Sequence, residues 1–271
     1  MPGLIIKGIS YEIQGLETVS WKDDPRLRLN MKEDGRVRLP NAWIRGIVIH
    51  STKGVPGGKD LRSQKILPGL GTPNRDHKLN TAKFWSSDSN AAGAHLIVDS
   101  NGSVACCADL QTEVTYHATV VNGITIGIEI FQGNDAEFYQ GQLDATVLLL
   151  DFLTAKFGIQ RQAQSVYHKH MIDRIANGAA DVVGIYGHRD VTNNRGEGDP
   201  GNAIFDTIKA AGYDMVDFAT DQDKRIWEMR QVALGIQPTG VPGPETVLAL
   251  KTSGKLHGMD VQRPLDARLN I

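Results

Sequence analysis

"GIYGHRDVTNNRGEGDPGNAIF", residues 184–205, decides how the rest of the chain is read. A short apolar run ends at His188, a polar and glycine-rich loop follows, and Asp199 stands directly before Pro-Gly. The run "DVVGIYGH" reads as a buried strand, and "NAIFDTIKAAGYD" beyond the loop reads as a helix closed by Gly212. A loop this rich in Asn, Gly and charge has too little apolar surface to pack a core. Its two ends, an imidazole and a carboxylate, are both potential metal donors.

A second strand has the same design. "WIRGIVIHS", residues 43–51, is dominated by Ile and Val and ends at His50, with polar residues immediately after. Two parallel neighbouring strands would bring His50 and His188 to the carboxyl edge of one sheet, where ligands usually sit. With Asp199 they would form a two-histidine, one-carboxylate shell that leaves a fourth position open. On spacing alone this signal is weak, because a strand-end histidine is more often just a polar residue at the surface.

Outward from these strands, "AGAHLIVDSNGSVACCADL" is a hairpin with its turn at Asn101-Gly102. "ITIGIEIFQG" is a strand in which Ile124, Ile126, Ile128 and Ile130 alternate, so Glu129 faces away from their side. "GQLDATVLLLDFLTAKFGI" is an amphipathic helix closing at Gly158, and "LNTAKFWSSDSN" supplies a short helix. Residues 52–78 read as a long loop, 160–180 are ambiguous and resemble an insertion, and the first forty residues match no pattern, with an edge strand the one role open to them. Trp43 and Trp85 read as core residues; His168 and His170, at strand spacing for a chelating pair, read as surface residues, and His77 and His257 sit in polar stretches and carry no signal. The pattern predicts an α/β fold: a central sheet flanked by helices over residues 1–217, and a small helical domain over 218–271.

The balance of 29 basic against 31 acidic residues gives a net charge of -2, so no field for nucleic acid is implied. The longest apolar run, "VLLLDFL", is too short to span a membrane, and "MPGLIIKGISYEIQGLETVSW" lacks the basic leader and long apolar stretch of a signal peptide. The two cysteines, Cys106 and Cys107, are adjacent on a strand and point to opposite faces, which fits buried thiols rather than a disulfide.

Six motifs then occur in order: "IVIHST", "GAHLIVDSNGSV", "TYHA", "IGIEI", "YGHRDV" and "GDPG". Together, over roughly residues 43–215, they resemble the zinc-dependent N-acetylmuramoyl-L-alanine amidases of type 2, which share a fold with the peptidoglycan recognition proteins. The resemblance implies a mixed central sheet. It implies Zn2+ held by His50, His188 and Asp199, with Glu129 as the catalytic carboxylate and His95 and His117 near the cleft. It implies peptidoglycan as the partner, with neither nucleic acid nor membrane insertion.

One position departs from the pattern. Glu197 stands where many relatives carry a lysine that stabilises the oxyanion, and an ionised carboxylate cannot donate a hydrogen bond. That leaves zinc, His117 or Arg195 to take the lysine's place, or Glu197 to act as a second base. The C-terminal "WEMRQVALGIQPTGVPGPETVLALK" resembles a small helical peptidoglycan-binding module through Leu234, Gly235, Gly240, Gly243, Thr246 and Ala249. An amidase with a wall-binding module and no signal peptide suggests a phage or prophage endolysin, made in the cytoplasm and released to the wall through a separate pore. A cytoplasmic recycling amidase and a non-catalytic recognition protein are the alternatives, the latter favoured by Glu197.

Overall fold

The computed structural model describes residues 3–39, 43–52, 64–71, 76–87, 92–133, 136–164, 183–192 and 199–217, with single residues at 231 and 235. By its contacts the chain divides into two compact units, Met1–Val216 and Asp217–Ile271, and nearly all of the described residues lie in the first.

The centre of that first unit is an eight-stranded sheet. In chain order the strands are β1 (Thr18–Ser20), β2 (Gly46–Ser51), β3 (Leu96–Val98), β4 (Val104–Cys106), β5 (Thr125–Ile130), β6 (Gln162–Gln164), β7 (Gly184–Gly187) and β8 (Asp214–Val216). They lie in the order β8-β6-β7-β2-β5-β3-β4-β1. Only the β3–β4 hairpin is antiparallel; every other neighbouring pair runs parallel. The sheet is therefore mixed, as the motif set implies. The hairpin turns where expected, with Gly102 at φ +80° and Asp99 N–H donating to Ser103 O at 2.9 Å.

The central strands are buried on both faces, which explains their nearly unbroken apolar sequence. One face, carrying Ile47, Ile49, Ile126, Ile128, Ile130 and Ile185, packs under α2 (Gln140–Phe157) and α3 (Asn202–Ala210). Leu143, Leu149, Leu150 and Leu153 supply the stripe of α2, and Gly158 ends that helix at φ +66°, a conformation without cost for glycine. The opposite face packs Ile97 and Ala105 against Leu79, Ala82 and Trp85 of α1 (His77–Ser87). Cys106 joins the first core and Cys107 the second, as residues on opposite faces of one strand must.

Several expectations need correction. The segment read as an insertion begins with strand β6, and β8 had no sequence signal at all. Within the segment read as loop, Lys65–Leu67 pairs in parallel with Glu137–Tyr139. Trp43 is not a core residue: it is 66% exposed, while Trp85 is buried as expected. The first forty residues do supply an edge strand, β1. They also form a hairpin of Leu4–Ile6 with Ile9–Tyr11 and a strand, Gly35–Val37, paired with Glu113–Thr115. Among the described residues no helix is long and apolar enough to cross a membrane.

Candidate functional site

Register places the chemistry. Along β5 and β2, Glu129 pairs with His50; along β7 and β2, Gly187 pairs with Ile49, so His188 arrives level with His50 one residue later. Aligned residues of neighbouring parallel strands share a face. His50 and Glu129 thus share the face opposite the isoleucines at the carboxyl ends of β2 and β5, and His188, the first residue past β7, comes beside them. The chain leaves β7 in a single helical turn, His188–Val191, and returns at Asp199. The Arg189 N–H donates to Asp199 O at 2.8 Å, which ties Asp199 to the start of the helical turn.

His50, His188 and Asp199 each offer a ligand atom, and these atoms lie within 4.8 Å of one another. All three residues are about 4% exposed. The Ser51 N–H donates to Asp199 Oδ1 at 2.9 Å, while Asp199 Oδ2 stands 3.0 Å from His188 Nδ1. The His50 and His188 rings are 4.3 Å apart between centroids. Two imidazoles and one oriented carboxylate, converging and shielded from water, fit a divalent ion such as zinc with an open coordination position.

The three donors lie at one side of a cleft of about 700 Å³, together with Glu129 and His117. Its other wall is α1, from which His77, Asn80, Thr81 and Phe84 face the opening. The His77 ring stacks on Phe131 at 3.7 Å, and Phe84 is 63% exposed. Phe131 is itself pinned from behind, its carbonyl accepting from Gln142 Nε2 at 2.7 Å. His77, silent in the sequence, therefore belongs to the cleft. No local signal in the sequence marks it, because its partner is more than fifty residues away.

His117 sits beside His50, its Nδ1 3.1 Å from His50 Nε2. The backbone N–H groups of His117 and Ala118 both donate to Asn122 Oδ1, at 3.1 and 2.6 Å, which fixes the bend that delivers the ring. Room for the ring is made by Gly127 of β5. A Cβ there would stand 2.6 Å from His117 Cγ and 2.8 Å from its Nδ1. Gly127→Ala is expected to push His117 aside and to cost about 1–3 kcal/mol, the usual penalty for overpacking. Urea unfolding measures it; an unchanged midpoint would contradict the close packing.

His95 differs from expectation. It is wholly buried and absent from the cleft lining, so it has no surface to offer a substrate. Its Nδ1 accepts from the Gly127 N–H and the Thr115 hydroxyl, each at 3.0 Å, and its Nε2–H donates to Glu113 O at 3.1 Å. Burial, reinforced by the Arg38 guanidinium, pushes its pKa from 6.5 down to about 3. The unfolded chain therefore binds the His95 proton at a higher pH than the folded one. The stabilisation is complete above about pH 6.5 and is lost as pH falls toward 3, by up to about 5 kcal/mol for this one group. A pH series of unfolding free energies should show this slope, and His95→Gln should flatten it.

Burial also holds the His117 imidazole well below its ordinary pKa, and it drives the Asp190 carboxyl up to about 7. Arg195 and Glu197 lie outside the described residues, as do His168, His170 and almost all of the C-terminal segment. His117 lines the cleft, but both of its ring nitrogens are engaged by protein groups, His50 and Thr125. It therefore has no ring N–H left to offer an oxyanion. Asn122, Thr125, Gly127 and Phe131 complete the site without having been singled out from the sequence.

Among solved structures, the chain is similar to the endolysin N-acetylmuramoyl-L-alanine amidase LysCS from Clostridium intestinale. The identity is 20%, over 68% of this chain and 92% of that one, with a TM-score of 0.40. It is also similar to wild-type peptidoglycan recognition protein LB of Drosophila, at 17% identity over 72% of this chain and 94% of that one, with a TM-score of 0.45. No curated protein matches its sequence. The N-acetylmuramoyl-L-alanine amidase family model matches residues 40–202, a span that takes in His50, His117, Glu129, His188 and Asp199. The chain belongs to the N-acetylmuramoyl-L-alanine amidase family.

Proposed function

We propose that the protein hydrolyses the amide joining the lactyl group of N-acetylmuramic acid to L-alanine in peptidoglycan, with zinc held by His50, His188 and Asp199. The observation that carries this reading is the convergence of His50, His188 and Asp199, beside Glu129, at the carboxyl ends of neighbouring parallel strands and in an open cleft. An amide is a poor electrophile with a poor leaving group. Zinc, when bound, lowers the pKa of water and polarises the carbonyl.

The chain's own residues do the rest. Glu129, half-buried on the strand next to His50, accepts a proton from the attacking water and returns it to the departing nitrogen. Asp199 is held in place by the Ser51 N–H. The aromatic wall of His77, Phe131 and Phe84 gives a sugar or stem-peptide face an apolar surface to lie on.

A single amidase chemistry serves either an endolysin or a recycling enzyme. The resemblance of residues 218–271 to a peptidoglycan-binding module favours the endolysin, since a second wall contact raises avidity on a polymer and gives nothing on a soluble fragment. Digestion of purified sacculi, read by mass spectrometry, tests the reaction. Free stem peptides beginning at L-alanine, with intact glycan strands, are the expected products. Binding to sacculi without release of peptides would mean a recognition protein instead.

A further inference from the structure

We propose that His117 is a positioning residue, the middle of a one-directional hydrogen-bond relay that fixes the tautomer of His50 and turns its Nδ1 toward the metal. The proposal rests on the metal reading given above. Its direction is set at the far end, away from the cleft. The Thr125 hydroxyl donates its one proton to Val121 O at 2.9 Å, so toward His117 it can only accept. His117 Nε2, 3.1 Å from that oxygen, must therefore carry the ring proton. A neutral His117 then has a bare Nδ1, and that atom faces His50 Nε2 at 3.1 Å. His50 consequently donates through Nε2–H, and its lone pair is left on Nδ1.

The opposite direction would disable the site. A proton on His117 Nδ1 would occupy the Nε2 lone pair of His50 and leave the His50 proton on Nδ1. Neither nitrogen of His50 could then bind a metal. The choice between the two directions is made by Thr125, which never touches the cleft.

The surroundings hold the relay in register. Arg38, itself buried, donates to the carbonyls of Thr125 and Gly123, at 3.2 and 2.5 Å, and so anchors the start of β5. Asn122 clamps the backbone on either side of the His117–Ala118 peptide. Gly127 leaves the gap through which the ring reaches His50. Buried Thr125 and nearly buried His117 exchange little with water, so few competing partners can reverse the direction. A histidine ligand whose second nitrogen is held by a partner of fixed direction is both oriented and made more basic.

The test is a zinc affinity series, read by competition with a chromogenic chelator, on the whole chain. Thr125→Val removes the hydroxyl acceptor and leaves the His117 ring only the backbone carbonyl of position 125, so the fixed direction is loosened and zinc binding should weaken by up to about 10- to 100-fold, the range for partners of metal ligands. Thr125→Ser keeps the hydroxyl and should bind as the wild type does. His117→Ala should weaken binding to a similar extent, and the double variant Thr125→Val/His117→Ala should be little worse than either alone, since both break one relay. If a variant fails to fold, nitrogen-15 shifts of the histidine rings in the zinc-loaded wild type decide independently. They should show His117 protonated at Nε2 and unprotonated at Nδ1. A wild-type chain that takes up no zinc overturns the metal reading and the relay together. Zinc uptake by the wild type with equal affinity in Thr125→Val, or a His117 proton found on Nδ1, overturns the relay alone.

Discussion

His188→Ala is expected to abolish stoichiometric zinc uptake and to lower amide hydrolysis by a thousandfold or more. Losing the metal forfeits several kcal/mol of transition-state stabilisation, and each 1.4 kcal/mol is about tenfold in rate. His188 is the cleanest of the three donors to remove. Asp199 also receives the Ser51 N–H, and His50 lies inside β2, so changing either disturbs more than the metal. His188 instead begins the helical turn His188–Val191, and its ring contacts are to His50 and Asp199. Its loss does leave the buried Asp199 carboxylate short of one partner, so the melting temperature is to be measured alongside. A folded His188→Ala chain that still cleaves at the wild-type rate would remove the three-donor site from the chemistry.

Glu129→Gln separates chemistry from binding. Glutamine keeps the shape and hydrogen-bonding reach of the side chain but cannot take a proton. Turnover should fall about 10²- to 10⁴-fold, the usual contribution of a general base, while zinc affinity and sacculus binding stay within about twofold of wild type. The split matters because Glu129 lies level with His50 on the next strand without belonging to the three-donor cluster. An equal loss of zinc and of activity would make Glu129 a metal ligand. Unchanged turnover would leave the proton transfer to another group, with Glu197 the first to examine.

What could be read in the sequence was whatever local chemistry dictates. Long β-branched runs such as "IVIH" are buried on both faces, and each announces a central strand. Isoleucines in alternation put Glu129 on the opposite face, and the structure has it lining the cleft. Gly102 and Gly158 mark a turn and a helix end because their positive φ favours glycine. Strands β6 and β8 escaped notice because each is three residues long, and polar residues make up most of "QAQ" and part of "DMV". Neighbouring strands, not their own composition, recruit them to the sheet.

Site residues divide in the same way. His50, His188 and Asp199 stand out through the ordered motifs that carry the family resemblance, not through their spacing alone. His77 and Phe131 meet only through the fold, and Thr125 and Asn122 act through contacts that no periodicity records. His95 shows the converse: its motif suggested the cleft, but its hydrogen bonds to Thr115, Gly127 and Glu113 hold it in the interior. Residue type alone points Trp43 to the core, yet in the folded chain it is 66% exposed.

The most direct measurement is the zinc content of the purified chain, taken together with stem-peptide release from sacculi before chelation, after chelation, and after zinc is restored. One zinc per chain is expected, with peptide release lost on chelation and recovered on reconstitution, and no zinc retained by His188→Ala. Peptide release at the full rate from chelated, metal-free protein would contradict the assignment of His50, His188 and Asp199 to a catalytic metal.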